Sequence, residues 1–201
     1  MIRILPIIIM ISLLLGCSST SLPPKYYTLS SLVSPKPAES SPSRNETIII
    51  GIGPVEIPDY LDRPEIVTRT ATNELLLSEF NLWGGSLKTD ITRVLTENIS
   101  SLLVSEPVTI VTWRAHAHGS YRIPIYLFRF DAIPDGTVSL KAKWGIVAKD
   151  GKTVESIRES SIAKPVKGKE YSDAVNAMSD VLTDLSKEIA SAIKAVVSKT
   201  D

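Results

Sequence analysis

Few side chains in this 201-residue sequence are equipped for covalent chemistry, and they stand far apart. Cys17 is the single thiol, and the two imidazoles, His116 and His118, share one short stretch, Arg114-Ala115-His116-Ala117-His118-Gly119. A serine or cysteine hydrolase needs its nucleophile beside a base that a third group orients, and no Gly-X-Ser-X-Gly elbow occurs to present one. If their segment is extended, His116 and His118 share a face and offer two nitrogens to a metal. No further Cys or His completes such a site, so no metal is expected, and surface residues sensitive to pH are the plainer reading. Gly51-Ile52-Gly53 has the look of an opening dinucleotide fingerprint, but Pro54 follows at once and no third glycine is in register, which makes it a strand feature. Acidic residues are plentiful, though spacing sets no pair apart as an acid and base.

Residues 55–69 are less easily set aside. Pro58 and Pro64 flank Asp59, Tyr60, Leu61, Asp62 and Arg63, and Ile66-Val67-Thr68-Arg69 follows closely. An aromatic, an aliphatic and an Asp-Arg pair between two strands make a loop richer in recognition-type side chains than a connection requires. A rigid turn closed by a local ion pair explains the same residues, and both readings stand. Trp83, Trp113 and Trp144 fit either a core or an apolar groove; Trp144, on an alternating face, reads as core.

The thiol has its own context. Met1-Ile2-Arg3 is a short positive start, residues 4–15 are apolar apart from Pro6 and Ser12, and Leu14-Leu15-Gly16-Cys17 looks like a bacterial lipobox. Twelve residues of helix cover about 18 Å, short of the roughly 30 Å of a hydrocarbon core, so the run is expected to be a signal peptide and not a span. Cleavage after Gly16 leaves Cys17 as the first mature residue, carrying S-diacylglycerol and N-acyl chains such as palmitate; no other cofactor is expected. Two or three chains hold a domain on a bilayer stably. The expected organisation is a signal peptide over 1–16, a lipidated tether over 17–25 and one domain over 26–201, with 34–45 a mobile Pro/Ser loop. Ser18, not Asp, in the second mature position implies sorting to the outer membrane, by resemblance to bacterial lipoproteins.

These residues need a scaffold, and composition bounds it. Lys+Arg and Asp+Glu both number 22, so no basic footprint exists for nucleic acid. At 43% hydrophobic and 22% charged, the chain is expected to fold as one globular α+β domain, a mostly antiparallel sheet covered by two amphipathic helices. Strands are expected at 26–29, 47–57, 65–70, 73–82 and 108–113, and three more between 122 and 163 form an antiparallel meander turned by Pro134-Asp135-Gly136 and Asp150-Gly151-Lys152. Val138, Leu140, Ala142, Trp144 and Ile146 alternate with polar or small residues, giving one buried and one wet face. Pro124 suggests an edge position for the strand that carries it. Helical spacing of apolar residues appears from 86 to 103 and from 172 to 197.

Taken together, the lipobox, Tyr26-Tyr27-Thr28-Leu29, Ile57-Pro58-Asp59-Tyr60-Leu61-Asp62-Arg63-Pro64, Ile66-Val67-Thr68-Arg69, Trp83 and Thr92-Arg93-Val94-Leu95 closely resemble the ABC-type transport auxiliary lipoproteins, the paraquat-inducible protein C-like, MCE-associated lipoproteins of the outer membrane. Trp83-Gly84-Gly85-Ser86-Leu87 departs from the Trp-Ala-Glu-Pro-Leu that members often carry, which implies a looser start to the first helix. The resemblance implies a non-catalytic, lipid-anchored protein on the periplasmic face of the outer membrane. Its partners would be an MCE-domain protein and, indirectly, an inner-membrane permease and ABC complex, in support of lipid transport and membrane integrity. It also implies a homo-oligomer, and Tyr60, Leu61, Asp62, Arg63 and Arg69 as partner-binding residues. Two readings from other classes are a periplasmic hydrolase or hydrolase inhibitor, and a generic outer-membrane assembly lipoprotein.

Overall fold

Alternating β-branched, aromatic and polar residues build a sheet, and two stretches with 3.6-residue periodicity cover one of its faces. The computed structural model describes residues 23–32, 48–70, 73–113, 119–133 and 136–199. The expected signal peptide, Cys17 and most of the tether, the 34–45 segment, His116 and His118, and Pro134-Asp135 lie outside the described residues.

The strands are β1 (Lys25–Tyr27), β2 (Ile48–Glu56), β3 (Glu65–Arg69), β4 (Leu75–Trp83), β5 (Val108–Thr112), β6 (Tyr121–Ala132), β7 (Thr137–Ala148) and β8 (Val154–Pro165). The helices are α1 (Leu87–Leu102) and α2 (Tyr171–Val197). This is the expected α+β class in one domain, with a mixed eight-stranded sheet. The long ladders, β6 with β7 and β7 with β8, are antiparallel, as is β3 with β4. Parallel pairings join β1 to β4, β2 to β5, and both β2 and β3 to β6.

Strand β6 organises the sheet. Along one edge it pairs with β7 from Tyr121 to Ala132. Along the other it meets β2 first, through residues 121–126, and then β3 at Ala132. The expectation of an edge strand at Pro124 is therefore corrected, because β6 is paired on both sides. Pro124 lies opposite the place where β2 shifts register between Ile52 and Val55, so its missing N–H falls where the ladder is already interrupted.

Burial follows the alternation. Ile123, Ile125 and Leu127 point to the helices, and a second register shift between Leu127 and Arg129 changes the phase, so that Phe130 and Ala132 take over the buried face. Opposite them Val138, Leu140, Ala142, Trp144 and Ile146 are buried as expected. Ile91, Val94, Leu95 and Ile99 of α1 and Val181, Leu182, Leu185 and Ile189 of α2 complete the core; each such side chain contributes about 1.5–3 kcal/mol on burial. Ser86 caps α1, its hydroxyl accepting from the Thr89 N–H at 3.3 Å. Glu170 and Asp173 form a capping box at the start of α2. Trp144 Nε1 donates to Ser160 Oγ at 2.9 Å, and that hydroxyl bonds in turn to Glu188, so the buried indole is satisfied.

Candidate functional site

The loop between β2 and β3 is an excursion between two strands that share one edge of β6, and its proline-bounded sequence folds it tightly. A 3-10 turn spans Asp59–Leu61, with the Leu61 N–H bonded to the Pro58 carbonyl at 2.9 Å and the Asp62 N–H to the Asp59 carbonyl at 3.2 Å. Pro64 ends the loop, its carbonyl accepting from the Trp83 N–H at 2.7 Å. Leu61 is 2% exposed and packs in the core, so this residue, expected among the partner contacts, is not available to a partner. Asp62 and Arg63 are exposed. Arg63 Nε lies 3.3 Å from Glu65 Oε2, so the arginine pairs with the first residue of β3 and not with an aspartate of the loop.

Tyr60 and Arg69 turn inward to a residue the sequence reading missed. The Asp131 side chain is fully buried near the end of β6, where its carboxylate accepts from Tyr60 Oη at 3.0 Å, Arg69 Nε at 3.2 Å and Arg129 Nε at 2.8 Å. The Arg69 guanidinium lies over the Tyr60 ring, 5.5 Å from its centroid, adding a cation–π contact. Burial, and then the Asp131 charge and hydrogen bond, raise the Tyr60 hydroxyl above its ordinary range. For Arg69, burial works against the charge, but Tyr60 and Asp131 outweigh it and hold the guanidinium more firmly protonated. An acid inside the run Arg129-Phe130-Asp131-Ala132, where the alternation changes phase, was the signal available in the sequence. The site thus has a buried ionic hub, an internal layer of Tyr60 and Arg69, and Asp62 and Arg63 displayed to solvent.

A second node ties the start of the domain to α1. Asp90 accepts from Thr28 Oγ1 at 2.9 Å and from the Leu29 N–H at 2.6 Å. Arg93 Nη2 donates to the Leu29 carbonyl at 2.7 Å and to Asp90 Oδ1 at 2.6 Å, and Nη1 reaches Glu97 at 2.9 Å. The Gly84 N–H bonds the Tyr27 carbonyl at 2.7 Å. Three separated sequence pieces, around Tyr27, Trp83 and Arg93, therefore meet and line a cleft of about 210 Å³. Trp83 is buried there.

Trp113 is half-buried at the foot of a larger open groove of about 540 Å³ between α1 and the ends of β2 and β5, walled by Thr89, Thr92, Thr96 and Thr112. The Arg122 guanidinium stacks over its ring at 5.8 Å. Gly51 belongs to this contact and to the body of β2: a Cβ there would fall 2.6 Å from Trp113 Cε3, so close approach, not phosphate binding, is the role of this glycine. Among the described residues, no group of three or more His, Cys, Asp or Glu is placed to hold a metal ion. No helix among them is long and apolar enough to cross a membrane.

Comparison with known proteins gives these arrangements a setting. The family described as the ABC-type transport auxiliary lipoprotein component matches residues 27–190. The intermembrane transport lipoprotein PqiC of Escherichia coli (strain K12) is 24% identical over 131 residues, covering 65% of this chain and 67% of that protein, and PqiC of Shigella flexneri gives the same figures. Among solved structures, an uncharacterized protein superposes with a TM-score of 0.71 at 19% identity, covering 86% of this chain and 99% of the other. A Xanthomonas campestris protein superposes with a TM-score of 0.66 at 15% identity, covering 88% and 99%. At those identities the two structures establish a common fold and nothing more.

Proposed function

The chain belongs to the family of ABC-type transport auxiliary lipoprotein components, and from that premise we propose that it is a non-catalytic outer-membrane lipoprotein that docks an MCE/ABC-type lipid transport system. Signal peptide cleavage after Gly16 leaves Cys17 acylated and fastens the domain to the periplasmic face. There it works as a homo-oligomer, holds an MCE-domain protein and, through it, an inner-membrane permease and ABC complex, and so supports membrane integrity. Anchoring contributes without catalysis: a tethered subunit confines its partner to a thin layer and raises the effective concentration.

The observation that carries the docking role is the construction of the 57–64 loop. Tyr60 and Arg69 are locked on the buried Asp131 carboxylate, Leu61 is sunk in the core, and Asp62 and Arg63 are held outward between two prolines. A surface pre-organised in this way loses little entropy on binding, which suits recognition. Tyr60 and Arg69 then serve the partner indirectly, by fixing the loop, while Asp62 and Arg63 make the contact. The test is a photoreactive residue placed at position 62 of the full chain in intact envelopes. The expected adduct contains an MCE-domain protein, and the same residue at Lys187 on α2 gives none. No such adduct at 62, or equal adducts at both positions, overturns the proposal.

A further inference from the structure

The helices leave the other face of the sheet uncovered. On β6, Tyr126 and Phe128 point away from the helices, 52% and 45% exposed, with ring centroids 4.9 Å apart. On β8, Ile157 and Val154 are 63% and 48% exposed. Ile157 pairs with Gly145, where a Cβ would fall 2.7 Å from the Ser156 carbonyl oxygen, so the glycine lets β8 lie close and spread its side chain over the sheet. Between Tyr126, Val154 and Ile157 runs a groove of about 270 Å³ floored by Pro54, Pro124, Gly145 and Val147. A contiguous apolar surface of this kind marks an interaction site on a folded domain.

We propose that this face, centred on Tyr126, Phe128 and Ile157, rests on the phospholipid bilayer to which the chain is anchored. The inference depends on the acylation of Cys17 proposed above. Lys141 and Lys143 are exposed on the same face, Lys143 opposite Tyr126 on one side and Glu159 on the other. Glu56, which pairs with Tyr126, is already bonded to Lys88. Aromatic rings with lysines beside them match the boundary of a bilayer, where rings sit at headgroup depth and ammonium groups reach phosphates. The opposite surface differs, with Asp180, Lys187 and Lys194 exposed along the outer side of α2.

The length of the tether is compatible with the bilayer as the occupant. Eight residue-to-residue steps lead from Cys17 to Lys25, a reach of at most about 28 Å. Strand β1 is three strands from β6 and five from β8, roughly 14 to 24 Å at the spacing of paired strands. The tether is thus long enough to bring this face to the membrane and short enough to keep it there. The hub beneath the docking loop lies further along β6: Tyr60 meets the strand at Asp131, about 17 Å from Tyr126.

The full lipidated chain is placed in liposomes of phosphatidylethanolamine and phosphatidylglycerol, with a spin label on Phe128→Cys, Ile157→Cys or Lys187→Cys. Cys17 is acylated, so each introduced cysteine is the only free thiol, and all three positions are exposed. The labels at 128 and 157 are expected to be several-fold less accessible to a water-soluble nickel chelate than the label at 187, and more accessible to oxygen. A chain that floats with the liposomes but shows equal accessibility at all three positions overturns the bilayer face and leaves the anchor standing. Labels at 128 and 157 closed to both relaxants also overturn it, since a second copy or other protein then covers the face. A chain that does not float overturns both the face and the anchor.

Discussion

Asp131→Ala tests the hub of the docking loop. The wild-type carboxylate has no exposed surface and accepts three hydrogen bonds, two of them from guanidinium groups. Taking one partner out of a buried ion pair costs about 3–5 kcal/mol, because the opposite charge is stranded. Here Arg69 and Arg129 keep 23% and 35% of their side-chain surface in water, so both are screened and can swing outward. That places the loss at the low end, about 3 kcal/mol. In a chain of this size each kcal/mol moves the Tm by roughly 2–4 °C, so a drop of roughly 6–12 °C is expected. Urea and thermal unfolding followed by circular dichroism read it, alongside Tyr60→Phe, expected to cost about 1 kcal/mol, and the double variant. The cycle should return a coupling of about 0.5–1 kcal/mol between Tyr60 and Asp131. A loss below about 1 kcal/mol, or strict additivity, would refute the hub.

Gly51→Ala should destabilise by about 1–3 kcal/mol through overpacking against Trp113, and Trp113→Leu in the same chain should restore most of the loss in urea melts. The raised hydroxyl of Tyr60 keeps its proton in the folded state beyond the unfolded value. Its contribution to stability should be complete below about pH 10 and lost as pH climbs further, an alkaline arm that Tyr60→Phe flattens. At Asp184, burial disfavours the charge, but hydrogen bonds from Lys164 and Lys187 prevail and hold the carboxyl below its ordinary range. That contribution should be complete above about pH 4 and lost as pH falls through the depressed value, and Asp184→Asn should remove it from acid unfolding curves. Ser160→Ala should cost about 1–3 kcal/mol by leaving the buried Trp144 N–H without an acceptor.

Much of the fold was legible because burial imposes a period. The β7 alternation, both helical stripes and the buried Trp144 follow directly from a core that accepts only one face of each element. What escaped was set by long-range pairing. Nothing near Ile48 says that β2 joins β5 and β6 in parallel, and Pro124 read as an edge signal because the register shift that tolerates it lies in another strand. The loop around Tyr60 was visible as a cluster of recognition residues, yet its division into a buried Leu61, inward Tyr60 and Arg69, and outward Asp62 and Arg63 depends on Asp131, about seventy residues later in the chain. Likewise Thr28 and Arg93 stood out singly, and only the fold joins them through Asp90.

The docking claim is met most directly by capturing a tagged full-length chain from solubilised envelopes and identifying what accompanies it. The account predicts an MCE-domain protein with the native chain, reduced about tenfold or more by Asp62→Ala with Arg63→Ala at an unchanged Tm. Capture free of any MCE-domain protein, or undiminished in that double variant, would contradict it.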